Sequence, residues 1–504
     1  MAGRPHSSSL GPQRPRRRML RVLAGVVLVL CLPPLAWLVW NRIDEAPNAD
    51  ALRWGSPPTR DVADAQNAWL YLLGIGAAEN DDPIAYGRRR VDAYVARARR
   101  DPQAKADPLE DDRNAAMPYV GSVEGIDGIA QLCPPHGPDC IGWAAAHRAA
   151  LGRLADANRL RLQRLDTAIA LPQWQEAPLL SSDFPTPSVQ LVVLKINLLA
   201  LDANDSRRIP AVAEEIARHA ALWRRASEDA EWLLSKAFGG TFMERYQRLL
   251  VELYEHAKPA QREALQPAID SVFAAPTAAA TNLDVVGYDS FQMTAVTLRG
   301  EIPSLWQSLR NCMHGTPKNG SCSNDLVSST TYLPQATDNI VARIVTASAD
   351  FLAASPADEP AAAERLAERV GREDPSRGDA PLTLTIYNAA GRRLALQSVL
   401  EPVYRKRLND QETVRRMLLI KLAALRSHVP AANMPEFLAA QPDALRHPYP
   451  GKSIVWRPGQ RAFAAPAAVE NSFENGFIVV PHHAPSSASA APPPPQNPSQ
   501  AIRY

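Results

Sequence analysis

The chain has 504 residues, 46% apolar and 21% charged, which is a globular composition with ample length to bury a core. At roughly 100–200 residues per domain it is long enough for two to four domains. Net charge is +2, but Arg4, Arg14, Arg16, Arg17, Arg18 and Arg21 all fall in residues 1–40, which hold no acid; the remainder has 49 basic against 53 acidic residues, a net of −4. A mildly acidic body excludes bulk nucleic-acid binding, because neutralising phosphates needs a basic surface.

Val22 to Trp40 is a run of 19 uncharged residues. As a helix it would be about 28 Å long, close to the ~30 Å hydrocarbon core of a bilayer. Arg16, Arg17, Arg18 and Arg21 precede it, so the positive-inside rule keeps the N-terminus in the cytoplasm and exports the C-terminal body. Trp37 and Trp40 stand at the far end, where indoles favour the lipid boundary. Pro33 and Pro34 predict a kink. Leu38 to Arg42 offer no small-x-small cleavage site, and Leu30 before Cys31 argues against a lipoprotein, so the reading is an uncleaved anchor.

The expected division is a basic cytoplasmic tail at 1–18, a transmembrane anchor at 19–40 and a linker at 41–60. An exported α-helical domain follows at 61–480, with a subdivision near 276–335 left open and a small β element at 446–480. A Pro-, Ser- and Ala-rich disordered tail closes the chain at 481–504. The fold class is mainly α: an irregular set of antiparallel helical hairpins with a small C-terminal β-hairpin, and no fixed-period repeat.

In chain order, Trp69 to Leu73 reads as a helix ended by Gly74 and Gly76. Tyr86 to Arg100 is a basic helix whose arginines either meet anionic headgroups or form a solvated face paired with Asp81, Asp82 and Asp92. Residues 101–140 are loop-rich. Ile141 to Ala170 reads as one long helix. Leu191 to Leu201, broken by Lys195 and Asn197, is too short to span a bilayer and reads as a core helix. Ile209 to Trp223 and Phe242 to Leu253 repeat at helical spacing. Residues 276–335 look less regular. Helices resume at Thr337–Ala354 and Pro360–Val370, then as a pair at about Leu382–Leu408 and Asp410–His428. Ser453 to Phe463 reads as strand, turn and strand, with a further strand at Phe477–Val480.

Apart from Cys31 in the anchor, the cysteines form two close pairs, Cys133 with Cys140 and Cys312 with Cys322. In an exported domain an even count reads as disulfides, and the turn-like segments between them favour local pairing. A metal site drawn from Cys133, His136, Cys140, Cys312 and His314 has none of the common zinc spacings.

Chemistry is otherwise faint. There is no H-E-x-x-H, no G-x-S-x-G and no Ser-x-x-Lys. Gly74-Ile75-Gly76 lacks the third glycine of a dinucleotide loop, and Gly451-Lys452-Ser453 lacks the first glycine of a phosphate loop. Glu244 is a general-acid candidate only if buried, and otherwise a solvent-facing helix residue. His219, His256 and His428 read as surface or helix-end histidines.

His447-Pro448-Tyr449-Pro450-Gly451-Lys452, followed by Ile454 and Trp456, resembles a C-terminal element of uncharacterised signal-anchored bacterial envelope (periplasmic) proteins, whose form is Asp-Pro-aromatic-x-Gly before a short strand. Asn67-Ala68-Trp69 to Leu73-Gly74-Ile75 resembles their first helix after the anchor. This chain departs at His447, where those proteins carry Asp. The resemblance implies no activity. Type II secretion pseudopilins end in a similar element, but their hallmark glutamate inside the apolar helix is absent. The expectation is a periplasmic protein held in the bacterial inner membrane, acting as a non-enzymatic binding or assembly module for an envelope protein or cell-wall partner. It implies no cofactor, no metal and no nucleic acid. The alternative is an envelope hydrolase acting on peptidoglycan or polysaccharide through carboxylates, and the sequence favours neither enzyme nor non-enzyme.

Overall fold

Apolar residues at three- and four-residue intervals build helices along most of the chain, and strands are few. The computed structural model describes residues 14–57, 60–100, 116–128, 132–133, 139–180, 184–302, 304–318, 320–374, 376–377, 386–399, 403–469 and 476–482. The side chains of 14–18, 20–24, 296 and 299–301 fall outside that description. So does the expected tail beyond 482.

The expected helices at 69–73 and 86–100 form as Ala68–Leu73 and Pro83–Arg100. Gly74 does more than end the first. Its Cα lies against the backbone of Pro83 and Gly87, so any side chain there would collide with the second helix. The long helix expected at Ile141–Ala170 is three helices instead, Cys140–Ala146, Arg148–Ala157 and Arg159–Ala170. One break falls at buried Asn158, whose amide side chain accepts from the Val120 N–H at 3.1 Å and donates to the Val120 carbonyl at 2.9 Å.

Gln190–Ala203 is buried on most sides, and Ile209–Asp229 packs along Leu233–His256 at the centre. The stretch 276–335, expected to be irregular, is mostly helical: Ala278–Thr281, Asp284–Glu301, Leu305–Met313 and Cys322–Thr331. Three of its Ser and Thr residues, Thr277, Ser304 and Ser321, are helix caps. Ser304 forms a capping box with Gln307, and Ser321 accepts from the Asn324 N–H. Pro334–Ala353 and Glu359–Glu373 follow. The next expected pair is a short helix, Ala389–Ala395, and then a single helix, Val403–Arg426, that runs straight through Asp410.

The expected C-terminal β element forms, its hairpin extended by the third strand into an antiparallel sheet in the order Val455–Arg457, Ala462–Pro466, Phe477–Pro481. Trp456 faces Phe463 edge-on at 5.2 Å, and His482 packs on both rings. A second small hairpin, Ser122–Val123 with Ile126–Asp127, had no sequence signal.

One apolar cluster joins residues 68–273 to 414–480, and two further clusters gather 51–54, 283–298, 340–362 and Ala395. Residues 41–57, expected to be linker, belong to the second group. Asn48 caps the helix Ala49–Gly55, and Trp54 is fully buried with its indole donating to Thr346 Oγ1 at 2.8 Å. A tryptophan this size is driven inward whatever polar residues surround it.

A helix runs from Arg14 to Trp40 through Pro33 and Pro34, over the stretch expected to be the anchor. The side chain of Val22 lies outside the description. Among the described residues no helix is long and apolar enough to cross a membrane. The helix Arg14–Trp40 has 27 residues, a rise of about 40 Å. Its apolar side chains face outward, Leu28 at 60% and Leu30 at 68% exposure.

The far end of this helix is clamped to the domain. Trp37 Nε1 and Asn41 Nδ2 both donate to the Ile386 carbonyl, at 2.9 and 3.1 Å. Asn41 Oδ1 accepts from the Asn388 N–H at 3.0 Å. Trp40 stacks on Tyr387 at 5.3 Å. Asn388 is buried in the left-handed region (φ 50°), and its Oδ1 accepts from the Leu333 N–H at 2.9 Å. Asn388→Ala removes that acceptor and should cost about 1–3 kcal/mol, read as a lower denaturant midpoint at unchanged slope; an unchanged midpoint would show that the clamp carries no stability.

Candidate functional site

Three places gather chemistry: a sealed helix end, a cluster that reaches the surface at Asp166, and an open groove. The first is the N-terminus of Leu233–His256. A helix start leaves backbone N–H groups without intrahelical partners, and here two carboxylates from distant segments take them. Glu176 Oε2 accepts from the Glu231 and Trp232 N–H groups, each at 2.7 Å, and Asp289 Oδ2 accepts from the Leu233 N–H at 2.5 Å. Burial raises Glu176 to about 8 against the amides that favour its charge, and burial likewise raises Glu231 to about 7 and Asp289 to about 7. Trp69 and Phe184 pack edge-on against Trp232 at 5.5 and 4.3 Å. Glu176 is 5% exposed, and one of its oxygens is engaged as a cap. This pair of raised acids under an aromatic wall was invisible in sequence, where Glu176 and Glu231 stand 55 residues apart.

The second place joins four helices. Lys195 Nζ lies 3.0 Å from Asp166 Oδ1 and 2.5 Å from Glu215 Oε1. His219 Nε2 faces the same two oxygens at 3.7 and 3.9 Å, and Tyr246 Oη lies 3.2 Å from His219 Nδ1. Asp166, Glu215 and His219 have the donor set and spacing for a metal ion, but the Lys195 ammonium already stands as the cation between the carboxylates. His219, expected at the surface or a helix end, is instead 1% exposed, and burial lowers its pKa and keeps it neutral.

The third place is open. A groove of about 530 Å³ runs between the edge strand Val455–Arg457 and the helix Met434–Ala439. Ile420, Leu438, Ile454 and Trp456 make its apolar walls, Arg446 and Lys452 its basic rim, and no carboxylate lines it. The buried Trp456 indole N–H has no partner among the described residues. Helix Val403–Arg426 fixes the sheet behind the groove: Asp410 accepts from the Ala468 and Val469 N–H groups at 2.7 and 3.1 Å, and Asn409 donates to Tyr449 Oη at 2.9 Å. The segment His447–Lys452 shapes one side. His447 Nδ1 accepts from the Tyr449 N–H at 3.1 Å, the role a short carboxylate plays in an Asx turn, and Nε2 faces the Pro466 carbonyl at 3.1 Å.

The remaining sequence candidates fall elsewhere. Glu244 pairs with Arg248 at 2.9 Å. His256 is an exposed helix-end residue, and His428 follows a helix with φ 49°. Gly451-Lys452-Ser453 leads into a strand, without the helix N-terminus that a phosphate loop needs. The basic helix is occupied with its own protein: Arg88 pairs with Asp64, Arg89 with Asp81, and Arg90 donates to the Leu73 carbonyl at 2.7 Å. Cys133 and Cys140 have Cα atoms 5.6 Å apart with their sulfurs in contact. Cys312 and Cys322 stand side by side as free thiols, so the second expected disulfide is not formed in this structure; the contact with Cys322 pushes the Cys312 thiol up to about 11. His136 lies outside the described residues.

The buried acids fix a sign for pH dependence. Glu176, Glu231 and Asp289 hold their protons more tightly folded than unfolded, so their contribution is present below the ordinary carboxylate range and is lost as pH rises toward 7–8. Glu176→Gln should flatten the fall in denaturant stability between pH 5 and pH 8; an unaltered slope would show that Glu176 does not titrate in this window.

No protein family, no curated protein and no solved structure matches this chain.

Proposed function

We propose that this protein is a non-enzymatic binding or assembly module of the bacterial cell envelope, anchored in the inner membrane by its N-terminal helix with the helical domain in the periplasm. The groove beside the edge strand is the observation that carries it. An edge strand offers unpaired backbone groups to an extended segment, and pockets beside it select side chains. Here the walls are apolar and the rim basic, which suits an extended segment bearing apolar side chains and a carboxylate. The absence of acids from the groove's lining favours recognition there over hydrolysis.

Support for the anchor comes from the six N-terminal arginines and the outward-facing apolar helix beyond them. In this reading both cysteine pairs are disulfides, as an oxidising compartment favours. The alternative of a carboxylate hydrolase rests on Glu176 and Glu231, two perturbed acids near aromatic rings. It is the weaker reading because Glu176 is sealed in the core and holds a helix end.

A photo-crosslinker placed at Leu438 in the native membrane should give a discrete adduct. Ile454→Asp should reduce that adduct about tenfold, the effect of ~1.4 kcal/mol. An adduct indifferent to Ile454→Asp would remove the groove from the function. Export has its own test: in unreduced cells a thiol-alkylating reagent should reach none of Cys133, Cys140, Cys312 and Cys322, and free alkylation of these four would place the domain in the cytosol.

A further inference from the structure

The helices Leu305–Met313 and Cys322–Thr331 form a hairpin with unusual exposure. Trp306 is 78% and Met313 79% exposed on the first helix, and Val327 is 53% exposed on the second. Trp306, Arg310 and Met313 are spaced four and three residues apart, so they share one face, apolar at both ends with a guanidinium between. Inward-facing residues hold the hairpin together: Ser308 is fully buried and donates to the Asp325 carbonyl at 3.3 Å, and Cys312 meets Cys322. Residues 302–332 carry Arg310, His314 and Lys318 and one acid, Asp325. Asp325 is buried and accepts from the Lys318 N–H at 2.8 Å, so the hairpin shows basic groups outward and no carboxylate.

The hairpin's position gives this face a partner. Cys322–Thr331 packs on Ala389–Ala395, the helix that starts directly after Asn388. Asn388 and Ile386 are the residues that grip Trp37 and Asn41 at the end of the N-terminal helix. A rigid clamp therefore ties the hairpin to the point where that helix meets the domain.

We infer that the Trp306–Arg310–Met313 face lies in the headgroup layer of the membrane that the N-terminal helix enters, as a second contact that fixes the tilt of the domain. The inference rests on the anchor reading above. Its chemistry is that of an interfacial helix: an indole and a thioether enter the headgroup boundary, while Arg310 faces anionic lipid. With the clamp and this contact together, the domain has two attachments to the bilayer and loses free rotation about a tether.

The test uses the full chain in nanodiscs of anionic phosphatidylglycerol, with and without bromine on the acyl chains. Bromine quenches indoles that sit at or below the headgroups. Trp306→Phe should remove a distinct part of the bromine-dependent quenching, and the lost component should shrink when the brominated discs are made of zwitterionic lipid. Trp306 is exposed, so the variant keeps its fold. Quenching that persists in Trp306→Phe reports Trp37 and Trp40, the indoles of the anchor. If that signal is present while Trp306→Phe changes nothing, the second contact is wrong and the anchor stands. If neither signal is present, both fall. If Trp306 is already shielded from iodide in lipid-free detergent at high protein concentration and exposed on dilution, its partner is a second copy of the chain, and the inference is overturned.

Discussion

Closing the N-terminus of Leu233–His256 is the constraint on which the two halves of the domain depend. Backbone N–H groups at a helix start must find acceptors, and burial removes water as an option. Glu176 comes from the segment that packs with the first apolar cluster, and Asp289 from the helix Asp284–Glu301 that packs with the others. One helix end is thus held from both sides. The consequence is electrostatic. Carboxylates that cap a dry helix end keep their protons to higher pH, so the contribution of these two groups to stability fades as pH rises.

The same device recurs wherever the path of the chain is irregular. Asp410 receives the turn after the second strand of the C-terminal sheet, Asn197 the Cys133 amide, Glu252 the Ile141 amide at 2.6 Å, and Asn388 the Leu333 amide. Arg164 does the converse, donating from the core to the Ala77 and Ala78 carbonyls at 2.5 and 2.7 Å. A buried polar side chain that serves distant backbone is costly to misplace, because the unmade bond leaves both groups dry. Such contacts select one arrangement of helices over the many that an apolar pattern alone permits.

Function grows out of the surfaces that this bracing leaves open. Glu176, His219 and Glu244 are absorbed by the architecture, as a cap, a member of a lysine-centred cluster and one half of an ion pair. The groove beside Val455–Arg457 and the hairpin face at Trp306 remain outward. In the proposed reading the first would take an extended peptide and the second a lipid surface.

The sequence by itself determined the helical class, the central amphipathic helices and the C-terminal strands, because 3.6-residue and two-residue periodicities are local and need no partner to be read. It also located the outward-facing apolar helix with its basic flank. Only tertiary structure decided the rest. Asn158 broke an expected helix and Asp410 failed to break one, since each is governed by a segment far away in the chain. Trp54 pulled an expected linker into the core. Glu176, Glu231 and Asp289 became a single unit, and Ile420, Leu438 and Trp456 a single groove, through contacts between residues tens of positions apart. Polar residues within a helical run look alike in sequence whether they face water or another backbone, and packing alone tells them apart.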